Sequence, residues 1–153
     1  AIRNANAMAR LLGRPAYRDE SPLVDAFYRA FYMPEAHSFR DGVGTDHSSF
    51  IANTMAYAYG LVPDEGFRET YLSTYDRRGV SELSLFCTFP ILYRFLQDGD
   101  TERLRASLKN PGAWLRMLRE GATTTFEGWG RDTKWNTSLF HLTMAYAAVF
   151  LAK

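Results

Sequence analysis

Gly121-Ala122-Thr123-Thr124-Thr125-Phe126-Glu127-Gly128-Trp129 interrupts a sequence that is otherwise helical in pattern. Three successive threonines followed by Phe126 favour an extended backbone, because β-branched and aromatic side chains pack well on a pleated surface. Gly128 and Gly130 then allow a bend. The interruption runs over Ala122–Asn136 and holds Trp129 and Trp135, two of the chain's three tryptophans, beside the carboxylate of Glu127.

Helical spacing dominates on both sides. Trp114, Leu115 and Leu118 share a face ahead of the break, in a helix opened by Asn110-Pro111 and closed by Gly121. Behind the break, helix periodicity resumes near Thr137 and runs to the chain end. Upstream, Ala1–Leu12 carries Ile2, Ala5, Ala9 and Leu12 on one stripe, and Gly13 and Pro15 end it. Ser21-Pro22 reads as a cap and first turn for a helix carrying Leu23, Phe27, Ala30 and Phe31 up to Pro34. Glu35–Asp46 is polar and glycine-bearing and reads as a loop. Ser48–Tyr59 is helical and stops at Gly60. Pro63-Asp64-Glu65 opens a helix with Phe67, Tyr71, Leu72 and Tyr75 inward. Ser81–Leu96 is a longer apolar helix, with a kink or break expected near Phe89 because of Pro90. Asp98-Gly99-Asp100 turns into a short helix over Thr101–Lys109. The sum is about seven or eight helices with short connections, no strand alternation and no internal repeat, an all-α chain. The two irregular segments are where binding residues are expected, since long polar loops in a helical scaffold are disproportionately functional.

Composition narrows the function classes. The chain has 153 residues, 46% of them hydrophobic and 23% charged, which excludes a disordered polar chain. Its net charge of +1 lacks the basic excess of an electrostatic nucleic-acid binder. The most apolar stretch, Ala145–Ala152, is far shorter than the ~18 residues a membrane span needs. Cys87 stands alone and reads as buried and inert, and three separated histidines give no metal-ligand spacing. His37 has no motif around it and reads as exposed. Eleven Phe, nine Tyr and three Trp are more aromatics than a core of this size needs, and such rings often line sugar or peptide clefts.

The Gly121–Trp129 element resembles the GATTxWExW signature of the bacterial α-L-rhamnosidase family, glycoside hydrolases built as a six-hairpin (α/α) toroid. The flanks extend the likeness. Trp114–Leu118 is similar to that family's W-x-x-M-L helix. Lys134-Trp135-Asn136-Thr137-Ser138-Leu139-Phe140-His141 is similar to a segment carrying Ser and then His before the last helix. Ala52–Pro63 (ANTMAYAYGLVP) resembles an Ala-rich helix ending in GLVP, and Arg94–Asp100 its helix end and turn. The likeness runs from about Asp46 to the C-terminus. It implies antiparallel helical hairpins forming part of an (α/α)6 toroid.

The resemblance also implies roles. Glu127 takes the place of the general base that activates water for attack with inversion. Such chemistry needs a carboxylate base and a carboxylic acid on opposite sides of the bond, roughly 6.5–9.5 Å apart. Trp129, Lys134 and Trp135 are expected to line or shape the sugar cleft, with Trp114 in the core. His141 is either a hydroxyl partner of the sugar or a satisfied histidine at a helix start. Asp46 and His47 belong to a segment that faces the cleft in the family; Asp46 or Ser48 equally suits the N-cap of the next helix. Phe126 stands where Trp is usual, Gly128 replaces a larger residue, and Leu142-Thr143 follows His141, which leaves the sugar open. No cofactor and no metal are implied.

The family's acidic-aromatic segment, which carries the general acid, has no counterpart in Ala1–Asp46. The chain is therefore expected to be the C-terminal half of one catalytic domain, spanning residues 1–153, near-inactive alone because leaving-group protonation is worth ~10²–10⁴-fold. Its exposed helix faces are expected to pack on the missing half or to self-associate. The alternatives are a six-hairpin glycosidase for another sugar, or a noncatalytic helical domain binding carbohydrate or protein. No compartment is indicated.

Overall fold

A computed structural model describes residues 1–151. Eight α-helices occur among them: α1 (Ile2–Leu11), α2 (Ser21–Phe31), α3 (Phe50–Ala58), α4 (Glu65–Arg78), α5 (Leu85–Asp98), α6 (Thr101–Leu108), α7 (Trp114–Arg119) and α8 (Ala147–Leu151). The protein is all-α, with one two-stranded ribbon. The last two residues of the expected terminal helix and apolar stretch, 152 and 153, lie outside the described residues.

Local chemistry sets most boundaries. Asp64 accepts a hydrogen bond from the Phe67 amide and opens α4, and Asp100 does the same for α6 through Arg103 N. Each such cap satisfies a helix-end donor that has no partner within the helix. Gly99, at φ +71°, ends α5 and lets the chain reverse into α6.

The core sits between α3 and α5, flanked by α4 and α6. Ala56 and Tyr57 of α3 and Ile91, Leu92 and Phe95 of α5 are buried. Aromatic rings join the layers: Tyr57 stacks on Tyr71 at 4.6 Å, and Tyr75 meets Phe95 edge-on at 4.9 Å. The Phe and Tyr surplus is thus largely core, and Cys87 is buried among it.

Five expectations need correction. Glu35–Asp46 is not wholly loop. β1 (Tyr32–Met33) pairs antiparallel with β2 (Ser38–Phe39) across a 3-10 turn. The pairing is held from outside, since buried Asn53 of α3 accepts from Phe39 N at 2.8 Å and donates to Phe39 O at 3.2 Å. Ser49, rather than Asp46 or Ser48, caps α3 by accepting from Ala52 N. Glu20 is the N-cap of α2, with Ser21 and Pro22 already inside its first turn. The Ser81–Leu96 helix divides into a 3-10 turn over Val80–Glu82 and α5, which continues through Pro90 without a break. The proline still removes one helical donor.

The fifth correction concerns Thr137 onward. The chain stays irregular to His141, forms a 3-10 helix over Leu142–Tyr146 and only then enters α8. The amides a helix would use are spent elsewhere. Ser138 N donates to the Glu127 carboxylate and His141 N donates to Thr125 O. Thr137 Oγ1 is tied to the Lys134 backbone on both sides.

Candidate active site

The segment after α7 bends at Thr123–Thr124 rather than running extended through the three threonines, and its next residues pair with the chain after Thr137. Glu127 N donates to Ser138 O at 2.8 Å, and His141 N donates to Thr125 O at 2.7 Å. The Thr125 hydroxyl also donates to His141 O. These bonds clamp Thr125–Glu127 against Ser138–His141. Phe126 enters the core while its neighbour Glu127 lines a cleft. Phe126, set where the resemblance implies a Trp, is a core residue here.

The loop between the two clamped segments is anchored at several points. Trp129 donates its indole N–H to Leu83 O at 2.9 Å and meets Trp114 edge-on at 4.9 Å. Trp114 is itself buried and donates to Met144 O. Arg116 of α7 pairs with Asp132, and Glu120 accepts from Arg131 N. Gly128 packs against Thr133, so a Cβ at 128 would lie 2.7 Å from Thr133 Cγ2. The small residue at 128 thus has a packing reason.

Glu127 has both carboxylate oxygens engaged. Lys134 Nζ donates to Oε1 at 2.6 Å, and Ser138 N donates to Oε2 at 3.0 Å. The Lys134 ammonium first, and the Ser138 amide second, hold the Glu127 carboxyl below the ordinary glutamate value. Hydrogen bonds to the charged form favour ionisation. The side chain remains 28% exposed, so the carboxylate is reachable from solvent.

The cleft beside it has a volume of about 410 Å³. Its walls include Leu85, Phe86, Trp129, Lys134 and His141. Glu127 is the only carboxylate among its described lining residues. The structure thus brings together Glu127, Trp129, Lys134 and His141 of the expected site residues. Trp129 forms a wall whose N–H is already committed to the backbone.

The remaining expected residues lie elsewhere. Trp135 is 96% exposed and does not line this cleft. Asp46 is exposed and pairs with Arg40 at 3.7 Å. His47 Nδ1 lies 2.6 Å from Asp41 Oδ2, while Asp41 Oδ1 accepts from Ser49 N. Neither Asp46 nor His47 lines the Glu127 cleft. Sequence reading missed Leu85 and Phe86, which wall the cleft from the first turn of α5. The available signal was Phe86 itself, an aromatic set beside the inward-facing Cys87 and Thr88 of the same helix.

Among the described residues no group of three or more His, Cys, Asp and Glu side chains is placed to hold a metal ion, and no helix is long and apolar enough to cross a membrane. No curated protein and no solved structure matches the chain. The family model described as the bacterial alpha-L-rhamnosidase 6 hairpin glycosidase domain matches residues 1–153, and the helical architecture agrees with it. The chain therefore belongs to the bacterial α-L-rhamnosidase six-hairpin glycosidase family.

Proposed function

We propose that this chain supplies the general-base side of an inverting α-L-rhamnosidase active site, with Glu127 as the base. One observation carries the reading: Glu127 is kept ionised by Lys134 and Ser138 at the edge of a walled cleft. A base must be deprotonated before it can take a proton from water. Trp129 and Phe86 give the apolar faces on which a deoxy-sugar packs, and His141 offers a ring nitrogen to a hydroxyl.

Glu127 is the only carboxylate among the described lining residues, and inverting hydrolysis takes two carboxyl groups. The general acid in this proposal comes from a further segment of the same domain. An apolar groove of about 610 Å³ walled by Trp114, Leu118, Leu142 and Leu151 gives such a segment a surface to pack on.

The test is hydrolysis of 4-nitrophenyl α-L-rhamnoside by the chain alone and by the longer polypeptide that carries the acid. The chain alone should release almost no nitrophenol. The longer polypeptide should turn over and give β-L-rhamnose as the first anomer seen by proton NMR. Glu127→Gln should then lower kcat by about 10²–10⁴-fold. Brisk hydrolysis by the chain alone, a retained anomer, or an undiminished Gln variant would overturn the proposal.

A further inference from the structure

A lysine carries its charge on a long flexible stem, so an ammonium held at one spot needs a fixed backbone behind it. Lys134 Nζ is held 2.6 Å from Glu127 Oε1. Both polar groups of the Lys134 backbone go to one residue. Lys134 N donates to Thr137 Oγ1 at 2.9 Å, and Lys134 O accepts from the Thr137 hydroxyl at 2.8 Å and from Thr137 N at 3.2 Å. Among the described residues nothing else hydrogen-bonds the Lys134 backbone. Trp135, inside the Lys134–Thr137 turn, is 96% exposed and gives the turn little packing.

We propose that Thr137 is a positioning residue: its hydroxyl closes the Lys134–Thr137 turn and so brings the Lys134 ammonium onto the Glu127 carboxylate. Its bearing on hydrolysis rests on Glu127 being the base. Without the hydroxyl the turn loses two of its three hydrogen bonds and keeps only Thr137 N to Lys134 O. The ammonium then becomes an ordinary mobile surface charge, and loosely held exposed pairs contribute little.

The second partner of Glu127 does not depend on this turn. Ser138 O accepts from Glu127 N at 2.8 Å, which fixes Ser138 by itself, and Ser138 N then donates to Oε2 at 3.0 Å. Thr137 therefore acts through Lys134 and not through Ser138. Thr137 also lines the Glu127 cleft, but its hydroxyl hydrogen is committed to Lys134 O, so the group serves the loop rather than a ligand. His141 is the other titratable side chain at the cleft, and when protonated it adds to the attraction on the same carboxylate. The chain entering α5 presents Leu83, Ser84, Leu85 and Phe86 there, none of which carries a charge.

Carbon NMR of the Glu127 carboxyl in the full chain tests this. Thr137→Val keeps the side-chain shape and removes the hydroxyl, and the Glu127 midpoint should rise toward the ordinary glutamate value. Thr137→Ala should raise it too, and Thr137→Ser should restore the original midpoint. In a chain that already carries Lys134→Met, Thr137→Val should add no further shift. A midpoint unmoved in both the Val and the Ala variant overturns the inference. So does a shift as large in the Lys134→Met chain as in the unaltered one. The longer polypeptide that carries the acid separates this result from the reading of Glu127. There the acid limb of hydrolysis should follow the midpoint to higher pH in Thr137→Val. A limb that stays in place while the midpoint moves overturns Glu127 as the base and upholds the action of Thr137 on Lys134.

Discussion

Lys134 Nζ donates to Glu127 Oε1 at 2.6 Å, from the far end of the same loop that begins at Glu127. The ion pair holds the carboxyl below its ordinary value, so the group is ionised above that lowered value and protonated below it. Lys134→Met removes the main cause. The Glu127 midpoint, followed by carboxyl carbon NMR, should move up toward the ordinary glutamate value. The acid limb of hydrolysis should move to higher pH with it. An unmoved midpoint would show that Ser138 N alone sets the ionisation.

Gly128 has no room for a side chain. A methyl group there would meet Thr133 at Cγ2, Oγ1 and Cβ, all closer than 3.0 Å. Thr133 cannot yield freely, because its hydroxyl accepts from Gly130 N and donates to Gly130 O. Gly128→Ala should cost about 1–3 kcal/mol in urea denaturation, the usual range for forcing an extra carbon into a packed site. Gly42→Ala, whose methyl would meet only Thr45 Cγ2 at 3.8 Å, should be far milder.

Trp129 ties the Glu127 loop to the turn before α5. Trp129→Phe keeps a ring but deletes the indole donor, leaving Leu83 O without that bond. An orphaned carbonyl costs about 1–3 kcal/mol when it is shielded from water. Equilibrium unfolding should show a loss in this range. Trp135→Ala, at a position 96% exposed, should change stability by no more than about 0.5 kcal/mol.

Asp64 joins two elements through one carboxylate. Its Oδ1 accepts from Phe67 N at the start of α4, and its Oδ2 accepts from the Tyr32 hydroxyl of β1 at 2.5 Å. The Tyr32 bond first, then the Phe67 amide, hold the carboxyl below the ordinary aspartate value. The folded pKa is therefore lower than the unfolded one. The associated stability is complete above the unfolded value and is lost as pH falls through the folded value. Asp64→Ala should cost about 0.5–2 kcal/mol at neutral pH, the usual worth of an N-cap, and should flatten the acid slope of stability. Asp64→Asn should keep part of the cap and still flatten the slope.

Which elements were legible follows from the range of the forces behind them. Asp64, Asp100 and Gly99 act on residues three or four positions away, so α4, α6 and the turn between α5 and α6 could be read directly. Glu127 stood out because its neighbours form a recognisable element. The β1–β2 ribbon was invisible because two-residue strands show no period and their clamp, Asn53, lies on another helix. The C-terminal segment misled for a related reason. Its apolar spacing is helical, but Ser138 N and His141 N are taken by Glu127 and Thr125. Leu85 and Phe86 joined the site through Trp129, whose bond to Leu83 spans 46 positions.

That bond also predicts an order of events in folding. The cleft does not exist until the chain between Leu83 and Trp129 has closed, and closing it carries an entropic cost that local helix turns avoid. The hairpin of α5 and α6 is joined by a turn centred on Gly99 and can form before that closure. The Glu127 loop is therefore expected to close onto a prebuilt floor, and in native-state hydrogen exchange the amides of Glu127, Ser138 and His141 should open before those of α5. The slowest exchange is expected at the fully buried Ile91 and Phe95, and the cleft's lifetime should follow that of the bond between Trp129 and the Leu83 carbonyl.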